Sequence, residues 1–330
     1  MKNVPNPPVP NVGDFFTKDE IAVLSARSDW RGLFAVASTW AVIVATLAVL
    51  VRYPRPATFV AAVVVLGGRQ LALAILQHEA AHRTLFASRF GNDVLADYAC
   101  ARPVGVDVAR YRKHHLRHHG YTGTARDPDS SLTEAYPVRR GSLARKMVRD
   151  LVGLTGLKRL FGQVLMDLEI LEYTVASDVK RIPSNGRSAL SRARAFVRNA
   201  GGAMATNAVL FAGCAATGHA WVYLAWAVAN LTTFNLFMRI RSLAEHACKE
   251  RSSNPLKNTR TTRAGLFARM TVAPVGVNHH LEHHLCASVP YYRLASMHRM
   301  LRERGVVGKA PGYLDVLREV SGAPSTNPTS

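Results

Sequence analysis

The sequence predicts an all-α integral membrane protein: four transmembrane helices in two hairpins, with a cytosolic helical region that carries clustered histidines. Three observations lead there. Four apolar runs of about membrane length occur, at residues 33–51, 57–77, 199–217 and 220–238. They pair off, because only Arg52–Pro56 separates the first two and only Gly218 and His219 the last two. Four histidines then fall within six residues (His114, His115, His118 and His119), and the same pattern returns at His279, His280, His283 and His284. One His-x-x-His-His is expected by chance about 0.02 times in such a chain, and two about 0.0002 times.

Composition narrows the function classes. Lys plus Arg number 42 against 22 Asp plus Glu, a net charge of +20, while 48% of the 330 residues are hydrophobic. A nucleic-acid binder would carry that charge on a recognisable reading module, and none is present. The long apolar runs instead point to a membrane protein whose basic surface faces anionic lipid headgroups. Cys100, Cys214, Cys248 and Cys286 show no C-x-x-C spacing, so neither a disulfide framework nor a zinc knuckle is indicated.

Taken in order, residues 1–32 form a cytosolic tail and short helix. They begin with a proline-rich run and lack the order of a signal peptide. Residues 33–82 form the first hairpin. Leu33–Val51 is free of charge for 19 positions, about 28 Å of helix. The second run contains Gly67, Gly68 and Arg69, and the arginine is expected to face the protein interior or snorkel. This run leads directly into His78-Glu79-Ala80-Ala81-His82, which places two histidines one helical turn apart where the helix leaves the membrane.

Residues 83–198, with 21 of the 42 basic residues, form a cytosolic region holding the second histidine box. Within it, Met147–Val175 has helical apolar spacing and is expected to pack on the protein core or lie in the membrane interface. Residues 199–246 form the second hairpin, whose Asn230, Thr232, Thr233 and Asn235 require partners inside a bundle and which ends at His246. Residues 247–330 are a cytosolic C-terminal region with the third box and a Ser, Pro, Thr and Asn tail. The termini and all histidine boxes are therefore expected on the cytoplasmic side of a multi-pass protein.

The spacing carries chemistry. Residues i, i+3 and i+4 of a helix project from one face, and several neutral imidazoles on one face are the ordinary way to hold a transition metal. His-Glu-x-x-His is also the zinc-protease signature, in which the glutamate activates a metal-bound water. A metal carrier or sensor would use many histidines too.

The arrangement resembles the membrane-bound fatty acid desaturase family over nearly the whole chain. The matching residues are His78-x-x-x-His82, His115-x-x-His118-His119, His246, and His280-x-x-His283-His284, with Asp127-Pro128-Asp129 after the second box and Val289-Pro290 after the third. The resemblance implies a non-haem di-iron centre: two iron ions held by those nine histidines, with O2 as co-substrate. It implies an acyl or lipid substrate desaturated at one carbon pair; a hydroxylase or carotenoid ketolase of the same fold is the alternative. His114, His279, Asn278 and Ser242 are candidates for positions behind the ligands. Ser242 stands where some family members have an asparagine that contributes to the iron shell. Arg110, Arg112, Lys113 and Arg117 are candidates for a surface that receives the acyl head. His219 and His298 are expected to be ordinary polar residues. No His-Pro-Gly-Gly motif occurs, so no haem domain is fused and electrons are expected from a separate donor of ferredoxin or cytochrome b5 type.

Overall fold

A computed structural model describes residues 9–184 and 186–322, which fold as helices joined by turns, with extended backbone limited to three isolated bridge pairs. The proline-rich start and the final tail, both expected to be unstructured, fall mainly outside the described residues. In chain order the helices are α1 (Lys18–Leu24), α2 (Asp29–Arg52), α3 (Pro56–Ala81), α4 (Val108–Tyr121), α5 (Arg140–Leu151), α6 (Leu154–Asp167) and α7 (Ala189–Ala216). They continue with α8 (Tyr223–Leu231), α9 (Thr233–His246), the short α10 (Pro255–Asn258) and α11 (Leu266–Met270), α12 (His280–Leu285), α13 (Tyr291–Glu303) and α14 (Tyr313–Val320).

Local chemistry sets the helix starts. Thr17 and Glu20 form a reciprocal capping box at α1, and Ser28 caps α2. α3 opens on Pro56, whose fixed φ and missing N–H suit a first helical position. Among the described residues, the stretches Lys18–Arg52 and Pro56–Ala81 are long and apolar enough to cross a membrane. α3 is the central element, with no exposed residue from Ala62 onward. Its glycines permit this enclosure: a Cβ on Gly67 would lie 2.1 Å from the Thr233 hydroxyl oxygen, and one on Gly68 2.1 Å from the Met270 carbonyl oxygen. Beside them, Arg69 donates to that same carbonyl at 2.8 Å.

The second half departs from the sequence reading. α7 begins at Ala189 rather than Asn199, because the Ser188 hydroxyl accepts from the Ser191 amide and caps it there. Residues 220–238 are not one continuous span. A 3-10 turn, Ala220–Val222, leads into α8, and the chain breaks at Thr232 (φ −117°, ψ −91°) before α9.

Arg159 of α6 accounts for the break. It donates to Asn230 Oδ1 (2.5 Å), the Asn230 carbonyl (3.3 Å) and Asn235 Oδ1 (3.1 Å), while Asn235 Nδ2 donates to the Asn230 carbonyl (2.8 Å). These partners satisfy groups that an unbroken helix would have paired internally. α6 approaches closely because Gly156 faces Leu231, where a Cβ would meet the Leu231 carbonyl oxygen at 2.2 Å. α5 anchors the next helix: the buried Asp150 receives Arg239 of α9 through two hydrogen bonds (2.5 and 2.9 Å) and Thr155 (2.6 Å).

Two apolar cores matter for the site. One joins α2, α3 and α8 through Ile43, Leu50, Leu66, Leu73 and Trp226. Another packs Phe16 and Leu24 against Leu285, Leu294 and Met297, and so seats α12 and α13.

Candidate metal centre

Four helices deliver the nine histidines, and each is pinned near its histidines. α3 ends at His78 and His82. α4 is held against that end by Arg112, which donates to the carbonyls of Ala80 and Ala81 (2.8 Å each), a cation on a helix C-terminus, and to Asp93 (2.6 Å). Asp107 caps α4, and Asp97 receives the Val108 amide at 2.8 Å. Arg110 joins Asp107 and Asp167. α13 meets α3 where the Tyr291 amide donates to Glu79 (3.0 Å).

Three non-glycine residues with left-handed backbone flank the histidine segments: Arg83 (φ 60°) after His82, Cys248 (φ 56°) after His246, and Val275 (φ 56°) before α12. Each costs about 1–3 kcal/mol and persists because the surrounding packing imposes it.

Ring nitrogens of His78, His82, His115, His119 and His283 all lie within 4.8 Å of one another, and those of His118, His246, His280 and His284 form a second such group. The groups adjoin: His119 of the first stacks on His284 of the second, ring centres 4.0 Å apart. Neighbours in sequence, His118 and His119 or His283 and His284, serve different groups, as the helical step of about 100° per residue requires.

The outward nitrogens show what the inward ones present. His246 Nδ1 faces the Asn258 carbonyl (3.3 Å), which can only accept, so Nδ1 carries the proton and Nε2 offers a lone pair. That Nε2 lies 2.8 Å from His280 Nε2. His118 Nδ1 meets Asp127 Oδ1 at 2.8 Å. Both nitrogens of His78, together with His82 Nε2, His280 Nδ1, His283 Nδ1 and His284 Nε2, are buried without a hydrogen-bond partner among the described residues. Burial, reinforced by neighbouring imidazoles, drives His115, His119, His283 and His284 well below the ordinary histidine range. They are neutral at physiological pH, the form that ligates metals. His118 is the exception: burial opposes its charge, but the Asp127 hydrogen bond and the Asp129 and Asp127 charges prevail and raise it. Converging neutral imidazoles with orphaned nitrogens fit a pair of transition-metal ions.

The remaining candidates lie further out. His114 pairs with Asp129 (2.7 Å), and Asn278 bonds to the Thr262 carbonyl (2.8 Å). His279, Glu282 and His298 form a third, smaller group. His298, expected from the sequence to be an ordinary polar residue, is engaged: its Nδ1 meets Glu282 Oε1 at 2.7 Å, and Thr261 donates to Oε2 at 2.5 Å. Ser242 sits partly buried one turn before His246. Arg110 and Arg112 are engaged in the pins described above, whereas Lys113 and Arg117 are exposed.

Glu79 lies behind His78, with Oε1 3.5 Å from Nδ1 and Oε2 accepting from Thr84 and Tyr291. This placement does not suit a water-activating protease base. Sequence reasoning missed Glu79 and Glu245 as carboxylates beside His78 and His280, the latter at 3.6 Å. Their signal was a glutamate directly next to a ligand-candidate histidine, Glu79 after His78 and Glu245 before His246. A groove of about 850 Å³ between α2 and α7, lined by Trp40, Leu47, Tyr98, Val209 and Leu210, contains none of the nine histidines.

A family model described as fatty acid desaturase matches residues 54–313. The chain belongs to the fatty acid desaturase family. A curated relative, the dihydrorhizobitoxine desaturase of Bradyrhizobium elkanii, is 29% identical over 296 residues, covering 86% of this chain and 77% of the relative. The matched region contains all nine clustered histidines, so the metal-site geometry and the family membership describe the same residues. Both support an oxidoreductase.

In this desaturase-family site, Asp127 orients the His118 imidazole. Asp127→Asn is expected to lower metal affinity about 10- to 100-fold, read by metal retained per chain after dialysis against a graded chelator series. Retention equal to wild type would remove Asp127 from that role.

Proposed function

We propose that the protein is a membrane-bound, O2-dependent di-iron desaturase that introduces a C=C bond into an acyl chain. The observation that carries this reading is the convergence of nine histidines, five buried and four partly buried, into one group of five and one of four. His78, His82, His115, His119 and His283 would hold one iron, and His118, His246, His280 and His284 the other. The four-fold group has fewer protein ligands, and Ser242 lies nearby in place of an asparagine.

Bound iron would supply the one-electron oxygen chemistry needed to break unactivated C–H bonds, which no side chain can do. The overall change is –CH2–CH2– + O2 + 2 e⁻ + 2 H⁺ → –CH=CH– + 2 H2O. The protein's own residues set the geometry. Asp127 and the Asn258 carbonyl stand behind His118 and His246 and aim them inward through hydrogen bonds, and the carboxylates of Glu79 and Glu245 lie beside His78 and His280 at 3.5 and 3.6 Å. Burial limits water access to His78, His115, His118, His280 and His283, and Lys113 and Arg117 lie on the exposed side of α4.

We place α2, α3, α7 and the broken α8–α9 unit as four membrane crossings. The basic region and both termini are then cytoplasmic, and a separate ferredoxin or cytochrome b5 type donor supplies electrons. A small substrate related to dihydrorhizobitoxine is a second reading, favoured by the relative's name.

Elemental analysis of the detergent-purified protein tests the proposal. About two irons per chain are expected, one for each histidine group. A single zinc without iron, after loading under anaerobic ferrous conditions, overturns it. Product analysis for new double bonds in host lipids, and in added dihydrorhizobitoxine, separates the two substrate readings.

A further inference from the structure

Among the four histidine-bearing helices, only α4 presents a free face beside its ligands. α3 from Ala62 onward, all of α9 and all of α12 contain no exposed residue. On α4, His114, His115 and His118 are buried, while Lys113, Leu116, Arg117 and Gly120 are exposed on the opposite side. Arg126 extends this ridge by lying over the Tyr121 ring, 4.7 Å from its centre.

The charges on the ridge are not tied to carboxylates. Arg110 and Arg112, one position either side of Tyr111, are tied to carboxylates. Among the described residues Lys113, Arg117 and Arg126 have no ion-pair partner. Leu116, 49% exposed, adds an apolar spot between the cations. We propose that this ridge is the docking surface for a small acidic protein that carries one electron at a time.

The proposal rests on the di-iron reading above. A carrier seated on the ridge is separated from the histidine face by one helix, about 10–12 Å across, and Arg117 is bonded directly to the His118 residue. Two carriers, each oxidised by one electron, deliver the two electrons that the balanced desaturation consumes with O2 and two protons. A patch of unpaired cations around one apolar residue suits a weak, fast, salt-sensitive encounter rather than a permanent complex.

The test uses the full-length protein in lipid nanodiscs. Two acidic probes are titrated in their oxidised forms, a plant-type [2Fe–2S] ferredoxin and the soluble domain of cytochrome b5. Affinity is measured at low and physiological salt, a readout independent of turnover. Wild type is expected to bind at least one probe with an affinity that falls as salt screens the charges. Lys113→Glu/Arg117→Glu is expected to weaken that binding at least about tenfold at low salt and to flatten its salt dependence. Lys113→Gln/Arg117→Gln should fall between. The anaerobic rate at which iron-loaded protein oxidises the reduced probe should drop in parallel.

Wild-type affinity in the charge-reversed protein overturns the proposal, as does failure of both probes to bind wild type. Unchanged probe binding with a raised KM for the acyl substrate also overturns it, and assigns the ridge to the substrate head. Failure of the di-iron reading shows separately, as wild-type protein that retains no iron.

Discussion

His118→Ala and His283→Ala each abolish turnover, to below about one-thousandth of wild type, while the helices remain folded. The two histidines belong to different groups, so the variants should fail differently in metal content. His283→Ala removes one of five converging imidazoles and His118→Ala one of four. Each is expected to lose the iron of its own group first. The helices themselves are held elsewhere, by the packing of α2, α3 and α8 and by the Asp150–Arg239 and Arg112–α3 contacts. Circular dichroism and the size-exclusion profile in detergent should therefore match wild type. Iron per chain and product formation are the deciding measurements, and wild-type-like turnover in either variant would falsify the di-iron assignment.

Arg159→Met unseats the break in the second hairpin. The arginine fork holds Asn230 and Asn235 at the discontinuity between α8 and α9 and lies 5.3 Å from the Phe234 ring centre. Methionine fills similar volume but leaves the two asparagine oxygens without that donor, at about 1–3 kcal/mol for each buried unsatisfied group. A fall of about 5–10 °C in the unfolding midpoint in detergent is expected. α9 carries His246, so iron retention should fall with it. Arg159→Lys keeps the charge but not the planar fork, and should recover only part of the loss. An unchanged midpoint in the methionine variant would mean that Thr232 and its neighbours hold the break unaided.

The histidine boxes were legible because their signal is local. Spacing of i, i+3 and i+4 fixes which imidazoles share a helical face, whatever the rest of the chain does. The first hairpin was legible for a similar reason: Leu33–Val51 and the run after Pro56 are continuous in apolar character and punctuated by proline. The break at Thr232 was not, since residues 220–238 are as uncharged as a regular span. It arises from Arg159, some seventy residues earlier, approaching across Gly156.

The same division runs through the centre. Residue types and spacings alone determined that this chain carries three histidine boxes and a further histidine after an apolar run, and that a metal was the economical use for them. Only the tertiary structure decided the partition into five and four, the pairing of His298 with Glu282, and the outward face of α4. Those outcomes depend on how four helices from distant parts of the chain meet at their ends. Contacts of that kind are set by long-range packing and by individual pins such as Arg112 on the Ala80 and Ala81 carbonyls, which leave no periodic trace in the sequence.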